Sequence, residues 1–466
     1  MNSKNTWQFI DTLWDKSVIP TLQNYIKIPN KSPAFDSNWA EHGYMDQAAE
    51  LLANWCQSQA IPGMQLEIIR HPGLTPLIYI DIAGTVDKTV LLYGHLDKQP
   101  EMTGWNPGLG PWQPVLQGDQ LYGRGSADDG YAVFAALSSI MALQQQGLPH
   151  PRCVILIEAS EESGSPDLIH YLEHLRPRLG TPDLIICLDS GCGNYEQLWC
   201  TTSLRGLISG TLNIEVLTEG VHSGNGGGII PNPFLILRQL LTRIETEQTG
   251  QIFPEAFNVP LSPQRQQQAQ LTAATLQQQI YTEFPFVAGT QPLNFDTVEL
   301  QLNRTLRPAL SIIGIDGVPK IANAGNVLLP HIQVQLSLRL PPTCDVAQAA
   351  KTLQQLLESN PPFGANVSFQ CNSPSSGWDS PIMPESLLTA INQASLHYFT
   401  KPAMYMGEGG SIPFMAVLGK QFPQAQFLIT GVLGPRSNAH GPNEFLHIPT
   451  AKKVTCCVAE IIAGMQ

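Results

Sequence analysis

The sequence predicts an α/β fold in which a mainly parallel sheet carries helices on both faces and is interrupted by a smaller α+β sandwich. Helical and strand-like segments alternate from about residue 40 to 200, the pattern changes near residue 207, and the alternation resumes near residue 386. Such alternation is typical of parallel sheets with crossover helices. The expected domain limits are 1–206 and 376–466 for a first domain in two parts and 207–375 for an inserted domain.

Buried strands of the first domain are indicated by short apolar runs at 90–93, 154–159 and 184–188. Residues 44–58 and 132–146 have apolar positions at helical spacing instead. Ligands of open α/β sheets bind beyond the carboxyl ends of the parallel strands. The residues that follow these runs are therefore the first candidates for a functional site.

The inserted domain has a different hydrophobic pattern. Residues 207–217 alternate between apolar and polar side chains, as is typical of an antiparallel strand with one face in solvent. We expect three more strands of this kind, at 298–302, 310–315 and 332–340. Helical spacing is found at 233–246, 347–358 and in the Gln-rich stretch 264–279. Strands with helices collected together predict an α+β sandwich.

The composition limits the partners and the compartment. The 466 residues carry a formal net charge of −13, which argues against nucleic acid or an anionic membrane surface as a partner. The nine cysteines are odd in number and include no Cys-x-x-Cys pair, so a reducing compartment fits best. We find neither a signal-peptide pattern nor an apolar stretch of about 18 residues, and therefore expect a cytoplasmic protein without a membrane span.

The first apolar run ends in the sequence motif Gly94-His95-Leu96-Asp97. Residues two apart on an extended chain point to the same face, so His95 and Asp97 lie together. Imidazole is a common metal ligand, and Asp97 can accept its other ring N–H and fix the tautomer. The alternative is a core histidine whose hydrogen bonds are satisfied.

Two pairs of adjacent carboxylates follow along the chain. Asp128 and Asp129 come after a Gly-Arg-Gly word and precede a helix, where a carboxylate either caps the helix or bridges two cations. Glu161 and Glu162 follow the next buried run, and neighbouring carboxylates raise each other's pKa unless a cation intervenes. One glutamate as a metal ligand and one as a general base is the division that hydrolysis requires. A solvated, helix-capping loop is the alternative.

Asp189 follows a third apolar run, and His440 lies in a loop-forming stretch near the end of the chain. Each is uninformative alone, but imidazole and carboxylate ligands on one rim suit divalent metals such as zinc or manganese. The glycine-rich residues 224–228 lack the Lys-Ser/Thr of a phosphate loop, and no Gly-x-Ser-x-Gly word of a serine hydrolase occurs.

In order and context these words resemble those of the M20 metallopeptidase family, above all its carnosine-dipeptidase-like branch. The resemblance covers essentially the whole chain. The matching positions are the His-x-Asp word at His95 and Asp97, the Gly-Arg-Gly-x-x-Asp word ending at Asp128, the Glu161-Glu162 pair, Asp189 and His440.

The resemblance implies two divalent metal ions, zinc first, with manganese or cobalt as alternatives. One ion would be held by His95, Asp128 and Asp189, and the other by Asp128, Glu162 and His440. Glu161 would act as the general base for a water that bridges the metals and attacks the scissile carbonyl. Asp97 would be a further catalytic residue, next to the metal ligand His95.

The resemblance also assigns residues of the inserted domain, which would serve as a lid and as the surface of a homodimer. His222 resembles a catalytic histidine that reaches the active site of the partner subunit. Arg339 falls where an arginine grips the substrate carboxylate, and Asn326 falls where the same branch has a polar side chain near the substrate. Outside the expected limits of that domain, Ser411 lies in a glycine-rich motif that starts at Glu408, and the resemblance implies that this motif lines the same pocket.

Two positions depart from the family pattern. Gly130 stands where the family has lysine, and Gly407 stands where the dipeptidase branch often has arginine. All the metal positions are present, so the departures bear on the substrate pocket and not on hydrolysis itself.

The function implied is hydrolysis of the amide bonds of dipeptides or other small peptides by a di-metal catalytic domain. A deacylase of N-acyl amino acids, built on the same site, is the alternative. A more distant one is a binding protein that keeps the fold without turnover. Intact Glu161 and the five ligand positions argue against that last reading.

Overall fold

The computed structural model describes residues 1–372 and 374–465, with the side chain of residue 413 also outside the description. The chain divides into two compact units. The first comprises Met1–Thr202, Ser380–Met406 and Val417–Gln466, and the second comprises Ser203–Asp379 and Gly407–Ala416. The expectation placed 407–416 in the first domain, whereas its contacts group it with the second unit. The domain limits at 206 and 375 stay predictions.

The first unit is built on a large sheet whose middle is parallel. Its strands, in spatial order, are Met64–Ile69, Leu77–Ile82, Pro151–Glu158, Val86–His95, Leu184–Cys187, Gln426–Ile429 and Trp199–Leu204, and the last of these also pairs with Trp378–Asp379 and Met404–Glu408. The pairs from Pro151–Glu158 to Gln426–Ile429 are parallel, and the outer pairs are antiparallel. The α/β class is confirmed, and the antiparallel strands lie towards the edges.

Both faces of this sheet are covered. Val90 and Leu92 belong to the main apolar core, and the intervening Leu91 and Tyr93 are only 1% exposed. A strand that is buried on both faces needs apolar side chains at every position. Residues 90–93 therefore form a continuous apolar run and not an alternating pattern. The helices of this part of the chain are Ser3–Leu13, Ile19–Ile26, Trp39–His42, Tyr44–Ser58, Ala132–Gln145, Leu168–Leu179, Glu385–Phe399, Pro413–Gln421 and Ile448–Ala463. A three-stranded sheet of Phe445–His447, Gln120–Tyr122 and Val115–Gln117 lies apart from the large one.

The second unit contains a four-stranded antiparallel sheet with the order Ala309–Asp316, His331–Leu340, Gly206–Glu215 and Asn366–Cys371. Burial alternates along its central strands, and the buried face packs on the helices Pro233–Leu241 and Val346–Glu358 in one core. The α+β expectation for the insert is confirmed. Its other elements are the helices Ser223–Gly226, Pro263–Leu276, Gln279–Thr282 and Thr297–Thr305 and the short strands Val221–His222, Val327–Leu328 and Trp378–Asp379.

One element of the insert was assigned wrongly. Residues 298–302 were expected to form a strand, but they lie inside the helix Thr297–Thr305. The side chain of Asp296 accepts hydrogen bonds from the N–H groups of Val298 and Glu299 and so caps that helix. Val298 and Leu302 are four apart and pack on the same small cluster, so the alternating pattern also fitted a helix.

In the part of the chain that the structure describes, no helix is long and apolar enough to cross a membrane.

Candidate active site

Three neighbouring parallel strands deliver the first candidate side chains to one edge of the sheet. His95 is the last residue of Val86–His95, and it pairs in register with Glu158 at the end of the next strand. The chain then turns through Glu161–Ser163, which carries the two adjacent glutamates. On the other side of the central strand, Asp189 follows Leu184–Cys187. The sheet therefore gathers at its carboxyl edge what the sequence separates by almost a hundred residues.

The carboxylate of Asp128 lies between two imidazoles. Its Oδ1 is 3.3 Å from His95 Nε2, and its Oδ2 is 3.1 Å from His440 Nε2. His95 Nε2 lies 3.8 Å from Asp189 Oδ2, while His440 Nε2 lies 3.2 Å from Glu162 Oε2. Two groups of three ligand-type side chains thus share Asp128.

The site is buried except on the side of His440. His95, Asp128 and Asp189 are 1%, 5% and 8% exposed, whereas the His440 side chain is 55% exposed. His440 also has a left-handed backbone, with φ of 65°, in a loop rich in Gly, Pro and Asn. An opening for solvent or a substrate therefore lies beside the imidazole that the C-terminal loop supplies.

The buried carboxylates raise one another's pKa. Burial, followed by the charge of Asp189, raises the pKa of Glu161 well above its usual range. Burial also raises the pKa of Asp189 to about 7, with Asp128 acting in the same direction. Asp128 is the exception, because the neighbouring imidazoles of His440 and His95 outweigh the effect of burial and lower its pKa. So much negative charge in a dry site is stable only if protons or cations neutralise it.

The residues present fit divalent metal ions. Two groups have ligand atoms within 4.8 Å of one another, His95 with Glu161 and Asp189, and His95 with Asp128 and Glu162. Within the described ranges, His95 Nε2 and Glu162 Oε1 are buried without a hydrogen bond of good geometry. Buried polar atoms without a hydrogen bond are atoms that a bound cation can satisfy. Imidazole with carboxylate oxygens is a donor set that zinc and manganese accept.

Asp97 contacts both His95 and the turn that carries the two glutamates. His95 Nδ1 is 3.1 Å from the backbone oxygen of Asp97 and 3.4 Å from its carboxylate. Both carboxylate oxygens accept backbone N–H groups, from Glu161 at 3.1 Å and from Glu162 at 3.0 Å. Asp97 therefore ties the glutamate turn to the end of the histidine strand.

Sequence reasoning missed two further contacts of the site. Gln99 Nε2 donates to Glu162 Oε2 at 2.6 Å, and the backbone N–H of His95 donates to Asp129 Oδ2 at 3.1 Å. Asp129 had been seen only as the neighbour of Asp128. Gln99 carries no local signal, since a glutamine in a loop has no distinctive spacing.

In the second unit, Arg339 and Ser411 are brought together. Arg339 Nη1 donates to Ser411 Oγ at 3.0 Å, and the serine hydroxyl donates to the backbone oxygen of Arg205 at 2.6 Å. Burial lowers the pKa of Arg339. The pairing holds the guanidinium in a defined orientation.

His222 and Asn326 lie on paired segments of the same unit. His222 pairs with Val327, and the N–H of Ser223 donates to the backbone oxygen of Asn326 at 2.9 Å. The His222 side chain is exposed, and its Nδ1 accepts the N–H of Gly224 at 3.0 Å. Within its own chain this imidazole caps the backbone of the residues that follow it.

At both positions that depart from the family pattern, an added side chain would meet close neighbours. A side chain at Gly130 would collide with the ring of Tyr25 and with the backbone oxygen of Gly125. At Gly407 a Cβ would lie 2.6 Å from Ser203 Oγ and 3.0 Å from Thr305 Cβ. Neither position has room for the cation that it lacks.

Comparison with known proteins places the chain in a family. The profile of Peptidase family M20/M25/M40 matches residues 91–464. The cysteinylglycine-S-conjugate dipeptidase of Corynebacterium striatum is 26% identical over 95% of this chain and 97% of its own length. The fold matches the dipeptidase Dug1p of Saccharomyces cerevisiae with a TM-score of 0.77, at 22% identity over 100% of this chain and 98% of that chain. Human carnosine dipeptidase 1 matches with a TM-score of 0.76, at 21% identity over 100% and 99%.

A profile match over most of the chain, on a fold that carries imidazoles and carboxylates at one sheet edge, assigns the class of enzyme. The chain belongs to Peptidase family M20/M25/M40 and is a metallopeptidase that depends on divalent metal.

Proposed function

We propose that this chain hydrolyses dipeptides or other small peptides with two divalent ions that share one carboxylate. The observation that carries the proposal is the position of Asp128, with one oxygen towards His95 and the other towards His440. A carboxylate in that position is suited to bridging two cations. The dipeptidase names of the relatives support a small substrate.

We propose the two ligand sets that the resemblance implies, and the distances around Asp128 support them. His95, Asp128 and Asp189 would hold the first ion, and Asp128, Glu162 and His440 the second. We take zinc as the first choice, with manganese or cobalt as alternatives, because the set mixes imidazole with carboxylate. When bound, such a pair polarises the scissile carbonyl and lowers the pKa of water.

Glu161 would move the proton. A glutamate whose pKa is raised by burial can take a proton at its carboxylate and later return it to the leaving amine. Glu161 also lies within ligand reach of His95 and Asp189, so geometry alone allows it a ligand role. We assign the second ion to Glu162 because its carboxylate faces His440 at 3.2 Å.

Arg339 would bind the substrate's α-carboxylate, with Ser411 orienting the guanidinium and Asn326 adding a polar contact. A guanidinium presents paired donors that match a carboxylate. We assign the polarisation of the scissile carbonyl to His222 of the neighbouring subunit. Its exposure and capping contact leave Nε2 accessible.

We infer a homodimer formed through the inserted domain. Ala309–Asp316 is the outermost strand of the four-stranded sheet, and its Ile312, Ile313 and Ile315 are 50%, 63% and 52% exposed. An apolar edge strand is a template for pairing with a second chain. Sedimentation of the wild type and of Ile313→Lys tests this, since a charge on that edge should favour the monomer.

The decisive experiment is a substrate screen of purified protein with Zn²⁺, Mn²⁺ and Co²⁺ added separately. Cleavage of dipeptides in preference to N-acyl amino acids supports the proposal. The reverse preference identifies a deacylase. Metal content near zero, with no turnover under any condition, would indicate a binding protein.

A further inference from the structure

A buried ion pair joins the two loops that carry Asp128 and His440. The Glu444 side chain is fully buried, and its Oε2 accepts Arg124 Nη1 at 2.8 Å and the N–H of Gly125 at 3.1 Å. Its Oε1 accepts the N–H groups of Ala127 at 3.2 Å and Asp128 at 3.3 Å. One carboxylate thus fixes the backbone of the loop that ends at Asp128.

The arginine of the pair binds the other loop. Arg124 Nη2 donates to the backbone oxygens of Gly441 at 2.8 Å and His440 at 3.3 Å, and its Nε donates to Pro100 O at 3.1 Å. Arg124 is 1% exposed, so these hydrogen bonds are shielded from solvent. Charge-assisted hydrogen bonds in a dry environment are the strong ones.

We propose that Glu444 and Arg124 are positioning residues for the ion held by Asp128, Glu162 and His440. Neither side chain is in either ligand set. Glu444 holds the backbone of Asp128 and Arg124 holds that of His440, two residues that the proposed function assigns to that ion, so the inference rests on those ligand sets. Groups that orient metal ligands typically contribute about 10–100-fold to metal affinity.

The pair should matter less for the other ion. His95 is fixed independently, because it ends a buried strand, its backbone N–H is held by Asp129, and its ring is held by Asp97 O. His440 instead lies on a loop with positive φ, and its side chain is 55% exposed. Loss of the pair therefore frees His440 first. The shared ligand Asp128 transmits a smaller effect to the first ion.

The test is a titration of the metal-free protein with Zn²⁺, monitored by calorimetry, for the wild type and for Glu444→Gln. Glutamine keeps the shape but removes the charge and half of the acceptor capacity. Asp81→Asn is the matched control, because Asp81 forms a partly buried pair with Arg152 Nε at 2.9 Å on a strand outside the site. Melting temperatures of the metal-free proteins give the purely structural loss.

We expect two Zn²⁺ ions on the wild type and on Asp81→Asn. Glu444→Gln should bind one ion with nearly unchanged affinity and the second about 10–100-fold more weakly. Equal affinities for both ions in Glu444→Gln and the wild type would overturn the positioning role, and so would an equal loss at both sites. Failure of the wild type to bind two ions would refute the proposed function instead.

Arg124→Lys keeps the inference testable if Glu444→Gln does not fold. Lysine preserves a charge for Glu444 but lacks the planar fork that reaches Gly441 and His440. The same selective weakening of one ion is expected. Two ions bound as in the wild type would contradict the proposal.

Discussion

Asp97→Asn removes a charge that holds the glutamate turn in place. The Asp97 side chain is fully buried, and its two oxygens accept the N–H groups of Glu161 and Glu162. Asparagine can accept only one of these bonds. Its amide NH₂ then faces a backbone N–H, so a buried donor is left without an acceptor.

The magnitude follows from that lost bond. A hydrogen bond to a charged group contributes about 1.5–3 kcal/mol. In the metal-free variant the turn relaxes to satisfy its amides, and recovering the binding geometry costs a similar free energy. At about 1.4 kcal/mol per factor of ten, the affinity for an ion that uses Glu162 should fall about 10–150-fold.

The assay is Zn²⁺ titration of metal-free Asp97→Asn, together with turnover at low and at excess Zn²⁺. We expect turnover that is low at stoichiometric metal and substantially restored by excess. Asp81→Asn serves again as the control for loss of a carboxylate elsewhere in the unit. Unchanged metal affinity would refute the argument, because the contacts of Asp97 to the turn would then not govern the ligand geometry.

Four further predictions address the remaining roles. Glu161→Gln should lower turnover at least about 10²–10⁴-fold with metal content retained, and loss of metal would instead make Glu161 a ligand. Arg339→Ala should weaken substrates with a free α-carboxylate, while an amidated substrate should barely change; equal losses would place it outside the carboxylate site. Inactive His222→Ala and Glu161→Gln homodimers, mixed under conditions of subunit exchange, should regain about a quarter of wild-type activity if His222 acts across the dimer; no recovery despite exchange would exclude that role. Burial raises the pKa of Glu158 from 4.5 to about 7, so this carboxyl alone should cost metal-free protein about 3 kcal/mol of stability as pH rises through that interval. Glu158→Gln should flatten the dependence, as urea unfolding at several pH values can check, and an unchanged slope would contradict it.

The contrast between sequence and structure is clearest at the glutamate pair. The sequence shows that Glu161 and Glu162 are adjacent and follow a buried strand. It also predicts that a cation is needed between the two carboxylates. Which glutamate faces His440 was not readable from spacing, because it depends on a turn whose amides are held by Asp97, 64 and 65 residues earlier in the chain. The resemblance supplied an order of roles, and the distances now give it a physical basis to test.

The inserted domain shows the same division. Alternating burial along 332–340 was predictable, because a strand with one dry face needs period two. Residues 298–302 were misread because apolar positions two and four apart satisfy a strand and a helix alike, and the Asp296 cap decided between them. Glu444 gave no signal at all, since its partners lie more than three hundred residues away in the chain.

By itself, the sequence determined the α/β class, the change of hydrophobic pattern at the insert and the residue types of a metal site, because periodicity and ligand chemistry are local properties. Only the tertiary structure decided that Asp128 lies between His95 and His440, that Asp97 holds the glutamate turn, and that Gly130 and Gly407 have no room for a side chain. Those facts depend on distances between segments far apart in the chain. Such distances are set by the packing of the whole sheet edge and its loops, and no local pattern encodes them.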